Sequence, residues 1–253
     1  MTPTTITHTQ VHLEVRDNCA WILLDGPATR NALDGRSASA IVAACEKIDD
    51  DSSIGAAVIT GVDGSFCSGA VQGVLANLEG AAAHTVYEAL DSLYAAFARV
   101  GKLRVPTIAR LDGPAVGAGV NLALACDLRI ASPRARFISG FAAMGIHPGG
   151  GHFHLLDRLV GRQTAAAMGL FADSVSAVHA ERIGLTWATV DNTDLDKTIG
   201  RLVVPLCADP LLARHAKSSF ALTTTPTEAW TAATEVERSR QMWSLTRDRA
   251  STP

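Results

Sequence analysis

Aromatic residues are scarce in this chain: seven Phe, two Tyr and four Trp make up 5% of 253 residues. That is too thin a supply for the stacking platforms on which single-stranded nucleic acid is held. Excess positive charge is missing too. Lys and Arg number 22 against 25 Asp and Glu, for a formal net charge of −3, so there is no electrostatic footprint for a phosphate backbone. The five cysteines (Cys19, Cys45, Cys67, Cys126, Cys207) are scattered, odd in number and without a C-x-x-C pair. This argues against a disulfide framework or a zinc knuckle and fits a reducing compartment. No apolar run reaches the ~18–20 residues of a membrane span. The first eight residues lack the basic and apolar regions of a signal peptide, so a cytoplasmic protein is expected. What is present is the balance of a globular protein, 47% hydrophobic and 19% charged. A chain of this length buries roughly 70–75% of its unfolded surface, in one domain or one domain with a helical extension.

Two short apolar runs, Val11–Val15 and Ala20–Leu24, separated by Arg-Asp-Asn, read as a hairpin. Asp34 is placed to cap a helix from about Ser37 to Ile48, whose apolar residues Ile41, Ala44, Cys45 and Ile48 recur at helical spacing. Ala56–Gly61 is apolar almost throughout, as a buried parallel strand is. A helix is expected over His84–Val100, with Leu90, Leu93, Tyr94 and Phe97 on one face. Strands follow at Pro106–Leu111, Leu128–Ala131 and Arg136–Ser139, with a helix over Val120–Cys126. After the loop His147-Pro-Gly-Gly-Gly151, helices dominate: His152–Val160, Gln163–Ala172, Ala177–Ile183 and three more out to Arg249. Trp187–Val190 is the one late strand expected. Strands alternate with helices to about residue 190 and helices alone follow, which predicts an α/β core with a C-terminal helical extension.

Two glycine-rich turns share a grammar, Phe66-Cys-Ser-Gly-Ala70 and Asp112-Gly-Pro-Ala-Val-Gly-Ala-Gly-Val-Asn121. Each follows an apolar strand, and small residues let the backbone approach a ligand closely. Two outward N–H groups facing one point make an oxyanion hole, although tight strand-to-helix packing uses the same residues. The second turn fails as a dinucleotide fingerprint, because Leu122 stands where a third Gly is needed and no acid lies ~20 residues on. No G-x-S-x-G elbow and no P-loop are present.

Arg30-Asn-Ala-Leu33, Ala56-Ala-Val-Ile-Thr-Gly61, Phe66-Cys-Ser-Gly-Ala70, Asp112-Gly-Pro-Ala-Val-Gly-Ala-Gly119 and Ala123-Leu-Ala-Cys-Asp127, in this order and spacing, resemble the crotonase (enoyl-CoA hydratase/isomerase) superfamily from about Leu13 to Trp243. The resemblance implies a spiral of ββα units over residues 1–195 and a helical oligomerisation region over 196–253, assembled as a trimer or a dimer of trimers. It implies an acyl-CoA ligand, with coenzyme A part of the substrate and no separate cofactor. The thioester oxygen would lie between the backbone N–H groups of Ala70 and Ala118. Arg30 would serve the adenosine-phosphate end, and Ala32, Ser68, Ala70 and Gly117 would line the coenzyme path. Two fixed amide dipoles suit the oxyanion that forms when a thioester loses an α-proton or gains a β-nucleophile.

The departures from the family pattern are informative. Its hydratases use two glutamates, and the matching positions here are Asn121 and Phe141. An amide takes up no proton at neutral pH and a phenyl ring accepts none, so the sequence speaks against two-glutamate hydration. Val71 replaces the usual Asp after Gly-Ala. His147, in a loop the family places near the site, is the best candidate for a replacement base; the plainer reading is a loop histidine that caps the next helix. Asn121 remains able to hydrogen-bond a water or an acyl group; Ser139 and His84 are further polar residues, read mainly as structural. A metal reading of His147, His152, His154 and Asp157 needs His152 and His154 on one face. On a helix, positions i and i+2 diverge by about 200°, and a helix is expected there. The end of the chain, Ser251-Thr-Pro253, suggests that the tail lid of other family members is reduced. The functions open at this point are an acyl-CoA isomerase, decarboxylase, hydrolase or retro-aldol lyase with a non-glutamate base or none, a non-catalytic acyl-CoA binding or delivery protein, and, more remotely, a metal-dependent hydrolase.

Overall fold

The first two strands, β1 (Gln10–Arg16) and β2 (Cys19–Asp25), pair antiparallel across a turn in which Asp17 and Asn18 both take positive φ (48° and 61°). Asp and Asn tolerate that conformation, and it matches the twist of a two-residue hairpin. The computed structural model describes residues 8–71, 78, 80–224 and 227–246. From β2 the sheet continues in parallel through β3 (Ala56–Gly61), β4 (Thr107–Leu111), β6 (Leu128–Ala131) and β9 (Ala188–Thr189), in the order β1-β2-β3-β4-β6-β9.

The continuous apolar run of β3 follows from burial on both faces. Ala57 and Ile59 join the main core, beneath α1 (Gly35–Asp50) and α2 (Ala83–Gly101). Ala56 and Val58 face the other way, with Cys19, Ile108 and Ile130, into a second core closed by Leu195, Ile199, Val203 and Cys207 of α6 (Leu195–Ala208). Asp34 caps α1 as expected. Its carboxylate accepts from the Ser37 N–H at 2.8 Å, and the Ser37 hydroxyl accepts from the Asp34 N–H at 2.9 Å, a reciprocal capping box.

A second, three-stranded sheet went unseen in the sequence. β5 (Ala115–Val116) pairs parallel with β7 (Arg136–Ile138), which pairs antiparallel with β8 (Ser174–Ser176). Trp187–Val190 is therefore not the one late strand. β8 is three residues, Ser-Val-Ser, too short and polar to show a period, and docking on β7 creates it. The remaining helices are α3 (Ala118–Ala125), α4 (His152–Gly169, interrupted at Gly161), α5 (Ala177–Arg182), α7 (Pro210–Thr224) and α8 (Thr227–Thr246). α3 begins two residues earlier than expected, because Gly117 (φ 52°, ψ −112°) turns the chain directly into it. The expected end of the last helix at Arg249 lies outside the described residues. Among the described residues no helix is long and apolar enough to cross a membrane.

Candidate functional site

The two glycine-rich turns touch each other. Leu33 N–H donates to Gly69 O at 2.7 Å, and Val116 N–H donates to Cys67 O at 2.9 Å. The first turn is thereby pinned between the 30–33 segment and β5. Gly69 has φ 95°, a conformation costly to any residue with a side chain. A Cβ on it would lie 2.8 Å from Val116 O and 3.6 Å from Ala118 N. Gly119 likewise has no room for a Cβ against the Cys67 carbonyl. Close approach is why these positions are glycine.

Ala70 and Ala118 consequently line one cavity of about 420 Å³. Ala118 opens α3, so its N–H has no acceptor within the helix. Among the described residues, neither the Ala70 nor the Ala118 N–H donates a hydrogen bond. Leu90, Leu93, Tyr94 and Phe97 of α2, with Phe141, Met144 and Ile146, make the cavity largely apolar. Arg30, Asp63, Ser65 and Ser68 line it as well. Arg30 is left-handed (φ 53°) and exposed; its carbonyl accepts from Ser68 N–H at 3.0 Å and from Ser65 Oγ at 3.2 Å. The Ser68 hydroxyl is spent on Thr29 O at 2.7 Å. Gly117 also lines the cavity.

Two expected site residues do not. Ala32 is buried beneath the wall, and its carbonyl accepts from Thr9 Oγ1 at 2.5 Å. His147 is turned aside: its Nδ1 bonds the neighbouring Pro148 O at 2.6 Å and its ring meets Phe153 edge-on with centroids 6.1 Å apart. Its backbone is held by α8, with N–H to Ser244 Oγ at 2.8 Å and O from Gln241 Nε2 at 2.9 Å. His147 is thus not among the residues that line the cavity. His84 is exposed in the first turn of α2, outside the cavity lining.

The polar centre of the cavity wall is a group the sequence did not reveal. Asn121 on α3 donates from Nδ2 to Gly149 O at 2.7 Å, and its Oδ1 is 2.7 Å from His152 Nδ1. His152 Nε2 is 2.8 Å from Ser139 Oγ. All three residues are 2% exposed or less. Burial pushes the His152 imidazole down to about 3, so it is neutral. Phe141 stands edge-on to that ring, centroids 5.0 Å apart. The Glu237 carboxylate of α8 accepts the backbone N–H groups of His152 (2.7 Å) and Phe153 (3.0 Å) at the start of α4, and its burial pushes it up to about 7. Both ring nitrogens of His152 are taken by Asn121 and Ser139, which leaves none for a metal. Among the described residues no cluster of His, Cys, Asp or Glu is arranged to hold one. No motif spacing links Ser139, His152 and Asn121; the only hint was the glycine run 149–151, whose positive φ at Gly150 and Gly151 (77° and 79°) folds the loop inward.

Residues 14–251 match the family model described as enoyl-CoA hydratase/isomerase. Over 182 residues the chain is 40% identical to a probable enoyl-CoA hydratase of Mycobacterium tuberculosis, covering 72% of this chain and 70% of the relative. It is 34% identical over 192 residues to a probable enoyl-CoA hydratase of Rhodobacter capsulatus, covering 74% and 70%. An enoyl-CoA hydratase/isomerase structure from Xanthobacter autotrophicus Py2 superposes with a TM-score of 0.85 at 27% identity, covering 93% of this chain and 88% of that one. An enoyl-CoA hydratase from Bacillus halodurans gives 0.86 at 24% identity over 94% and 95%, a likeness of fold.

Proposed function

The chain belongs to the enoyl-CoA hydratase/isomerase family, and from that premise we propose that it binds an acyl-CoA thioester and stabilises a thioester oxyanion without two-glutamate hydration. The observation that carries this reading is the pair of N–H groups, Ala70 and Ala118, that meet no acceptor among the described residues and sit on two touching corners of one cavity. Such donors, fixed before the reaction, favour the charged enolate or tetrahedral oxygen over the neutral carbonyl, and each is worth roughly 3–4 kcal/mol. The apolar wall suits the acyl chain. Arg30 and Ser68, which line the same cavity, would serve the coenzyme, and coenzyme A is the only cofactor the reading needs, as part of the substrate.

Asn121 and Phe141 occupy the positions of the hydratase glutamates by resemblance, and neither moves a proton at neutral pH. The amide of Asn121 is moreover committed at both ends. A second reading, an acyl-CoA carrier without turnover, draws on the buried phenyl ring of Phe141 at the cavity wall.

Calorimetry with octanoyl-CoA and free CoA, beside a crotonyl-CoA hydration assay, tests the proposal. The thioester is expected to bind at least about tenfold tighter than CoA, a gain of ~1.4 kcal/mol, with no hydration above the protein-free rate. Equal binding of the two, or catalysed hydration, overturns it. Turnover of any acyl-CoA thioester decides against the carrier reading.

A further inference from the structure

Resting on that acyl-CoA reading, we propose that Ser139, His152 and Asn121 form a nucleophilic triad that takes the acyl group from the bound thioester and hydrolyses it. The hydrogen positions follow from a single fixed point. A carbonyl oxygen only accepts, so Gly149 O requires the NH₂ of Asn121 at 2.7 Å. Asn121 Oδ1 then faces His152 Nδ1 at 2.7 Å, and that nitrogen must carry the ring proton. Nε2 is left bare and accepts from the Ser139 hydroxyl at 2.8 Å. This is the tautomer that serine nucleophiles need, with a base at the hydroxyl and an acceptor holding the far side of the ring. Ser139 also lines the cavity, so its lone pairs are available to a ligand while its proton is directed at the base.

The strand register puts the nucleophile beside the oxyanion donors. Val116 pairs with Ile138, and Gly117 N–H donates to Ile138 O at 2.8 Å. Ser139, the next residue, therefore lies alongside Gly117, one residue from Ala118. Ser139, Ala70 and Ala118 line the same cavity, so a thioester whose oxygen rests on the two amides would present its carbonyl carbon to Ser139 Oγ.

The chemistry balances within these groups. Oγ attacks the carbonyl carbon while its proton passes to His152 Nε2. The C–S bond breaks, and the proton goes to sulfur as coenzyme A leaves as the thiol, with the acyl group now an ester on Ser139. Water then attacks the ester and gives a proton to Nε2. The C–Oγ bond breaks and the proton returns to Oγ. The sum is acyl-CoA plus water to carboxylic acid plus CoA thiol, with nothing oxidised or reduced. Burial disfavours a lone imidazolium, so the ring gains its proton only as the oxyanion forms opposite it and the buried charge is never unpaired. Ser139 and His152 are the catalytic residues; Asn121 is a positioning residue.

The test incubates the pure protein with acetyl-, butyryl-, octanoyl- and palmitoyl-CoA, reading thiol release, intact mass with peptide mapping, and binding by calorimetry. A long-chain fluorophosphonate serves as an independent probe of an activated serine. Thiol release is expected with at least one thioester, together with an acyl or phosphonate adduct on Ser139. Ser139→Ala should cut release by at least about 10³-fold. Asn121→Ala should lower kcat more than it changes KM, since its Oδ1 acts on the reaction through the imidazole. Binding by the wild type without thiol release or adduct overturns the triad and leaves the binding reading standing. Thiol release that survives Ser139→Ala, or an adduct elsewhere, overturns it as well. Absence of thioester binding overturns both. The wild-type adduct measurement stands even if a variant fails to fold.

Discussion

Single buried polar residues set the pH behaviour of this site. His152 is wholly enclosed, and burial holds its imidazole near 3 against an ordinary 6.5. The unfolded chain therefore takes up a proton below about pH 6.5 that the folded chain refuses until about pH 3. Linkage makes the stability conferred by neutral His152 complete above 6.5 and lost as pH falls toward 3. Glu237 works in the opposite sense: its pKa is raised from 4.5 to about 7, so its contribution falls as pH rises through that interval. A comparison of variants separates the two. Thermal melts at pH 7 and pH 5 should show a smaller acid-induced fall in Tm for His152→Gln than for the wild type; an equal fall would mean that this imidazole titrates normally in the folded protein. Gly69 makes a different single-residue case. With φ 95° and Val116 O only 2.8 Å from its missing Cβ, Gly69→Ala should cost about 1–3 kcal/mol. By parting the two corners it should also weaken octanoyl-CoA binding, measured by urea unfolding and calorimetry.

At the scale of elements, the site is a loop clamped between helices. α8 holds residues 147–152 through Trp230 Nε1 to Gly150 O at 3.2 Å, Gln241 Nε2 to His147 O, Ser244 Oγ from His147 N–H and Glu237 at the start of α4. That backbone in turn aims the His152 ring at Ser139. α7 is tied to the sheet by Lys217, whose Nζ meets Asp127 Oδ1 at 2.5 Å, while Asp127 Oδ2 accepts from the N–H and hydroxyl of Thr107 at 2.8 and 3.0 Å. Lys217 is 7% exposed, and removing one partner of an enclosed pair leaves the other charge poorly compensated. Lys217→Met should therefore destabilise by about 1–3 kcal/mol in denaturant titration. An unchanged midpoint would show the pair to be solvated and idle. The periodicity of α1 and α2 was legible because each has one apolar face on one core. β5 and β8 were not, because two or three residues carry no period and exist only through their partner β7.

At the scale of the whole molecule, a six-stranded sheet between two cores carries the touching corners, and large apolar side chains remain outside. Phe171 is 81% exposed, Leu222 84%, Leu212 64% and Trp187 64%. Exposed apolar surface of this kind marks interaction sites, which makes association a prediction for this chain. The family resemblance implies a homotrimer or a dimer of trimers, with the C-terminal helices as the expected contact region. Light scattering at micromolar concentration should give a mass of three or six chains, and a monomer would refute it.

Chain-local chemistry was enough to fix the strands and helices that repeat an apolar period, the Asp34 cap, the two glycine corners and the lack of a carboxylate at positions 121 and 141. These are local properties, written in steric size, periodicity and charge. Packing of distant elements was needed to leave His147 and Ala32 out of the cavity lining and to bring His152 to both Ser139, 13 residues before it, and Asn121, 31 residues before it. Hydrogen bonds between side chains on separate elements obey no spacing rule. They form where packed helices and a glycine-rich loop bring a donor, an acceptor and a buried ring to one point away from water.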